Sequence, residues 1–203
     1  MRHLHALHRR LSHRRIRRAL CPHARRCISY LTIELRGAIP EEFRPAMGPM
    51  VFGCDICQDV CPWNRKSPAT PLAEFLPRKI PTSVANHANA ESSASEDASL
   101  FMPALDWLVS LTEDDFRRIF RASPVKRAKW RGLLRSACVA LGSSAIAPEN
   151  PAYPRIVQRL EELASAEDAI LAEHAAWALA RLHSASSAQI PRDRDSHGAA
   201  KHS

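Results

Sequence analysis

The stretch FGCDICQDVCPWN, residues 52–64, contains three cysteines spaced CxxC and then xxxC, with a proline directly after the third. Thiolates three residues apart can bind neighbouring irons of a four-iron cluster from one tight turn, whereas a cysteine just before proline turns away toward a second cluster in two-cluster ferredoxins. Cys54 and Cys57 are therefore candidate ligands of one cluster, and Cys61 of another. Cys27 lies 27 residues before Cys54, within reach if the intervening segment folds back. Two other readings stand beside this one. The thiols can be ordinary core residues, or Cys27, Cys54, Cys57 and one more thiolate can hold a single zinc. Zinc ribbons usually carry two CxxC pairs and only one is present, so the spacing favours a cluster. Cys138 falls on the apolar side of a predicted helix, where a small core cysteine is expected.

The elements that must position these thiols are predicted to be helical. The 203 residues are 45% hydrophobic, enough for one domain or two small ones, and 15 prolines against 6 glycines favour short helices between proline-broken loops over a many-stranded sheet. The net charge of +8 is concentrated at one end: residues 1–26 hold nine arginines, five histidines and no acid, and the remaining 20 Lys and Arg balance 21 Asp and Glu. No run approaches the ~20 apolar residues of a membrane span, and no secretory signal is recognisable. A cytoplasmic protein is expected, and there six cysteines suggest metal or cluster ligation rather than disulfides.

The chain divides into five parts. Residues 1–26 are a basic extension, expected to be disordered, with a transit peptide or an RNA-binding arm as the other readings. Residues 27–81 bear the clustered cysteines, and CISYLTIELRGAIP is predicted to open them with a short helix ended by Gly37 and Pro40. Residues 82–99, small and polar, are a flexible linker or insertion. Residues 100–183 read as consecutive helices. Thr112 caps one that carries Phe116, Ile119 and Phe120. A longer helix carries Trp130, Leu133, Leu134, Ala137 and Leu141, with Gly142 at its C-terminal cap. Asn150 and Pro151 suit the start of the next, with Ile156, Leu160 and Leu163. The last has Leu171, Ala175, Leu179 and Leu182 on its buried stripe. Short connections make a HEAT-like packing the expected architecture. Residues 184–203 are expected to be a disordered tail.

RRCISYLTIELRGAIPEEFRPAMG, continuing through FGCDICQDVCPWNRK, resembles the C-terminal half of the epoxyqueuosine reductase family. The similarity returns in RGLLRSACVALGSS and AEHAAWALARL, which resemble that family's HEAT-like region. The resemblance implies a mostly helical fold: a partial ferredoxin-like 4Fe-4S segment followed by a helical repeat. In this family two 4Fe-4S clusters pass electrons to cobalamin on the preceding domain, and epoxyqueuosine at the tRNA wobble position is reduced to queuosine. By position, Cys27, Cys54 and Cys57 would bind the second cluster, and Cys61 would serve the first. Cys21-Pro22 resembles the end of the family's upstream CxxCxxCxxxCP run but sits only six residues before Cys27, so its role is not carried over directly; either Cys21 or Cys61 would complete the set of Cys27, Cys54 and Cys57.

The family's cobalamin domain, its catalytic acid and that upstream run have no counterpart in this sequence. The expectation is a truncated or frame-shifted product, inactive alone, for which a separate chain would supply the cobalamin domain. Two clusters need eight thiolates, so at most one 4Fe-4S cluster is expected.

Arg127, Arg131 and Arg135, four apart, would form one ridge of a helix, with Lys126 and Lys129 nearby. From periodicity this is a solvated face. The resemblance instead points it at tRNA phosphates. The competing functions are a stand-alone iron-sulfur electron carrier and a non-catalytic helical RNA-binding protein with a zinc or empty site.

Overall fold

The computed structural model describes residues 16–18, 21–64, 67–68, 70–80 and 99–188, with the side chains of 16–18, 21, 22 and 186–188 left undescribed. The predicted linker, apart from Ser99, lies outside these residues, as do most of the basic extension and residues 189–203. The fold is mostly helical. Its only strands among the described residues are β1 (Ile16–Arg18) and β2 (Cys21–Pro22), paired antiparallel, and a single bridge joins Lys79 to Ser99.

A 3-10 turn at Ala24–Arg26 leads into Cys27, and the Arg26 guanidinium sits 5.0 Å over the Phe43 ring. Packing against the cysteine-bearing segment therefore already involves Arg26, inside the expected extension. The predicted helix then forms, but it widens into a π-helical turn at Tyr30–Glu34, where the Leu35 amide donates to Tyr30 O at 2.9 Å. Such turns leave carbonyls without an internal partner and recur at functional sites. Helices α1 (Arg44–Met47) and α2 (Ile56–Asp59) follow.

The remainder is α3 (Leu105–Ser110), α4 (Glu113–Ile119), α5 (Lys129–Ser143), α6 (Tyr153–Ala164) and α7 (Ala169–Ala188). The capping box predicted at Thr112 is present: its hydroxyl accepts from the Asp115 amide at 3.1 Å, and the Asp115 carboxylate reaches back to the Thr112 amide. Three expected boundaries are corrected. Gly142 does not cap α5 but lies inside it, where a Cβ would come within 2.6 Å of the Trp177 ring and 2.9 Å of the Ala178 backbone on α7. Helix α6 starts at Tyr153, after a turn in which the Asn150 side chain accepts from the Ala152 amide at 2.9 Å. Helix α7 runs on to Ala188, past its last buried leucine, Leu182, and beyond the point where a tail was expected.

Two apolar clusters meet at this packing. The larger joins Trp107, Phe116, Leu134, Cys138, Leu160, Leu171 and Leu182 with their neighbours from α3 to α7. The smaller gathers Ile28, Leu31, Ile39, Phe43 and Met47 around the cysteine-bearing segment and includes Val139 of α5. Since full burial of such a side chain stabilises by ~1.5–3 kcal/mol, Val139 couples the two halves of the molecule.

Candidate iron-sulfur centre

Cys27 heads the helical turn containing Tyr30–Glu34 and is buried, whereas Cys54, Cys57 and Cys61 are partly exposed. Cys54 follows Gly53, whose φ of 76° turns the chain into the CxxC loop. Cys57 lies in α2, which is anchored by Asp55 O accepting from the Gln58 and Asp59 amides at 2.7 and 2.9 Å. The Cys61 amide donates to Gln58 O at 3.1 Å, and the Asn64 side chain closes the turn by donating to Gln58 O and Oε1 at 3.1 and 2.8 Å. Trp63 beyond it is 90% exposed.

The Cys54 thiol is held above its ordinary pKa, first by burial and then by the charges of Cys27, Cys57 and Asp55, while the Ile56 amide opposes the shift. The Cys54 thiol is thus close enough to Cys27 and Cys57 to feel their charge. Bringing thiolates together without iron is unfavourable, and a cationic cluster core reverses that repulsion. The donor set fits a cluster: three thiols from two separate elements, with none of the five described cysteines in a disulfide. Among the described residues no group of three or more His, Cys, Asp or Glu is gathered as a single metal ion would require. Cys138 is fully buried, and burial pushes its thiol up to about 12, as suits a core residue.

The predicted basic ridge is divided by the fold. Arg127 belongs to the 3-10 turn Pro124–Ala128, not to α5, and pairs with Glu34 at 2.6 Å. Arg131 pairs with Asp168 at 3.3 Å and stays partly exposed, and Lys126 and Lys129 are exposed. Arg135 is a correction. It is 1% exposed, and its guanidinium donates to Leu31 O and Leu35 O at 2.6 and 2.9 Å and to Gly37 O at 2.5 Å. It therefore faces the carbonyls that the π-turn leaves open and cannot reach a phosphate. Burial, followed by the charges of Arg131 and Arg36, lowers its pKa to about 10, so it stays charged at neutral pH.

Further contacts escaped the sequence reading. The His174 Nε2 accepts from the Ile39 amide at 3.0 Å, Arg44 pairs with Glu173, and Arg44 Nε donates to Ile39 O at 2.9 Å. Thr32 Oγ1 accepts from the Gly53 amide at 3.0 Å, and Ser29 Oγ reaches Cys54 O at 3.5 Å. All but the Arg44–Ile39 contact join residues at least 21 apart in the chain, so no local pattern could have announced them.

Residues 12–64 match the family described as a 4Fe-4S double cluster binding domain, a match that begins within the basic stretch and spans Cys21, Cys27, Cys54, Cys57 and Cys61. Fold and site thus define a class, a mostly helical protein with a 4Fe-4S binding domain.

The chain is related to the epoxyqueuosine reductases. It is 39% identical over 158 residues to epoxyqueuosine reductase of Escherichia coli (strain K12), covering 78% of this chain and 35% of that protein. With the Salmonella typhimurium protein the identity is 41% over 158 residues, covering 78% and 34%. The chain therefore spans about a third of the length of these relatives. The fold agrees: the crystal structure of epoxyqueuosine reductase with an epoxyqueuosine-modified tRNA-Tyr stem loop superposes with a TM-score of 0.65 at 24% identity, covering 87% of this chain and 40% of that one. The Bacillus subtilis enzyme gives 0.65 at 24%, covering 87% and 41%.

Proposed function

We propose that this chain carries the electron-supplying and tRNA-facing part of an epoxyqueuosine reductase. The observation that carries this reading is that the turn headed by Cys27 meets the Gly53–Cys54 loop inside the segment matching a double-cluster domain. In this reading Cys27, Cys54 and Cys57 hold one 4Fe-4S cluster, and Cys61 is directed at another. A bound cluster would supply one-electron transfer, and the chain's own residues fix the backbone that carries the thiolates. Cobalamin, which the resemblance implies, would accept electrons from such a cluster, and none of the residues described here is assigned to it. Residues 100–183, with α3 to α7, form the HEAT-like unit, tRNA is the substrate macromolecule, and the setting is cytoplasmic. Among the described residues no helix is long and apolar enough to cross a membrane.

Anaerobic reconstitution followed by iron and sulfide analysis tests the reading. About four irons per chain are expected, since a cubane takes four thiolates. Cys27→Ser, Cys54→Ser and Cys57→Ser should each abolish retention, and the same change at Cys21 and at Cys61 shows which supplies the fourth thiolate. About eight irons would contradict the thiolate count. Zinc, or no metal at all, would favour a non-redox helical RNA-binding protein.

A further inference from the structure

We infer that Thr32 is a positioning residue for the Cys27–Cys54 thiol pair, an inference that rests on the cluster reading above. Cys27 and Cys54 are not neighbours in the chain, so a cluster held by both depends on whatever fixes one element against the other. Thr32 is fully buried and does this with a single hydroxyl. Its proton goes to Ile28 O at 2.8 Å, one residue after Cys27, and its oxygen accepts from the Gly53 amide at 3.0 Å, one residue before Cys54. A hydroxyl offers one donor and two acceptor lone pairs, so it can satisfy both contacts at once.

The other side of Cys54 is tied to the same turn. Its carbonyl accepts from Ser29 Oγ at 3.5 Å, a longer and weaker contact. The turn carrying Thr32 is itself held from α5, because Arg135 takes Leu31 O and Leu35 O on either side of it. Thr32 therefore cannot simply follow the loop if the loop moves. Gly53, at φ 76°, presents its amide from a backbone conformation that L side chains rarely adopt and glycine takes without steric cost.

Groups just behind metal ligands commonly set affinity and electronic properties without touching the metal. Thr32→Val keeps the shape and the β-branch but deletes both contacts, whereas Thr32→Ser keeps the hydroxyl and loses only a methyl. Two readouts are needed. In the metal-free chain, hydrogen exchange at the Gly53 amide should be slow in the wild type and Thr32→Ser, and fast in Thr32→Val. In anaerobically reconstituted protein, Thr32→Val should lose its cluster about tenfold faster to a chelator and show a shifted EPR signature of the reduced cluster, with Thr32→Ser restoring both.

A purely structural role would lower the melting temperature but leave the EPR signature unmoved, and that result overturns the inference. So does an unprotected Gly53 amide in the wild type. If the wild type takes up no iron while the amide is protected, the cluster reading fails and takes the positioning role with it, but the hydrogen bond itself stands.

Discussion

His174 shows how much a single side chain can decide. Fully buried on α7, it donates from Nδ1 to Ile170 O at 2.7 Å and accepts at Nε2 from the Ile39 amide, so both ring nitrogens are used by the neutral form. Protonation would aim Nε2–H at another N–H. Burial, with Arg44 and Arg135 nearby, lowers its pKa from 6.5 to about 4, while the Ile170 carbonyl and Glu173 oppose the shift. Because the folded value lies below the unfolded one, the stability it contributes is complete above pH 6.5 and is lost as pH falls toward 4. The full shift corresponds to ~3 kcal/mol. Denaturant titrations of metal-free protein at pH 7 and pH 4.5 should show this loss, and His174→Gln should flatten the pH dependence. An equal pH dependence in the variant would remove His174 from the account. Arg135 makes the related point that a cation can be structural: three carbonyls surround a guanidinium that the sequence had suggested for RNA.

At the scale of elements, the crossing of α5 and α7 depends on a glycine. Gly142 is in the last turn of α5, where alanine would ordinarily be the better helix former. Here a Cβ would meet the Trp177 ring at 2.6 Å and the Ala178 backbone at 2.9 Å, and the second of these cannot rotate away. Overpacking of this kind costs ~1–3 kcal/mol, so it outweighs the propensity gain. Gly142→Ala should therefore lower the melting midpoint followed by far-UV circular dichroism; a midpoint at or above wild type would mean that the helices separate freely. The same glycine explains why the cap reading failed, since helix ends and close helix contacts both select glycine and only the packing partner distinguishes them.

At the scale of the molecule, the basic ridge expected from the resemblance is reduced among the described residues, because Arg135 is buried. Lys126, Arg127, Lys129 and Arg131 lie at the entry to α5, with Arg127 and Arg131 already facing Glu34 and Asp168. Counterion release predicts that replacing all four by alanine lowers the salt slope of tRNA affinity by up to ~3, less if those acids already neutralise part of the charge. Affinity measured from low to moderate salt by fluorescence anisotropy gives that slope, and an unchanged value would exclude this face. Arg135 does not belong in this set, because its loss would disturb the Cys27 turn rather than a phosphate contact.

Local chemistry alone determined a good deal. The spacing of Cys54, Cys57 and Cys61 pointed to iron-sulfur ligation, the Thr112 capping box marked α4, and apolar periodicity marked the buried faces of α5 to α7, because each signal is complete within a turn or two of chain. The tertiary structure decided what those signals could not contain: that Arg135 is buried, that Gly142 is a helix contact, and that Thr32 spans 21 residues to the loop before Cys54. Periodicity tells which face of an element turns inward, but not which carbonyl, ring or amide waits there. That depends on elements distant in sequence, as the contact of Thr32 with the Gly53 amide does.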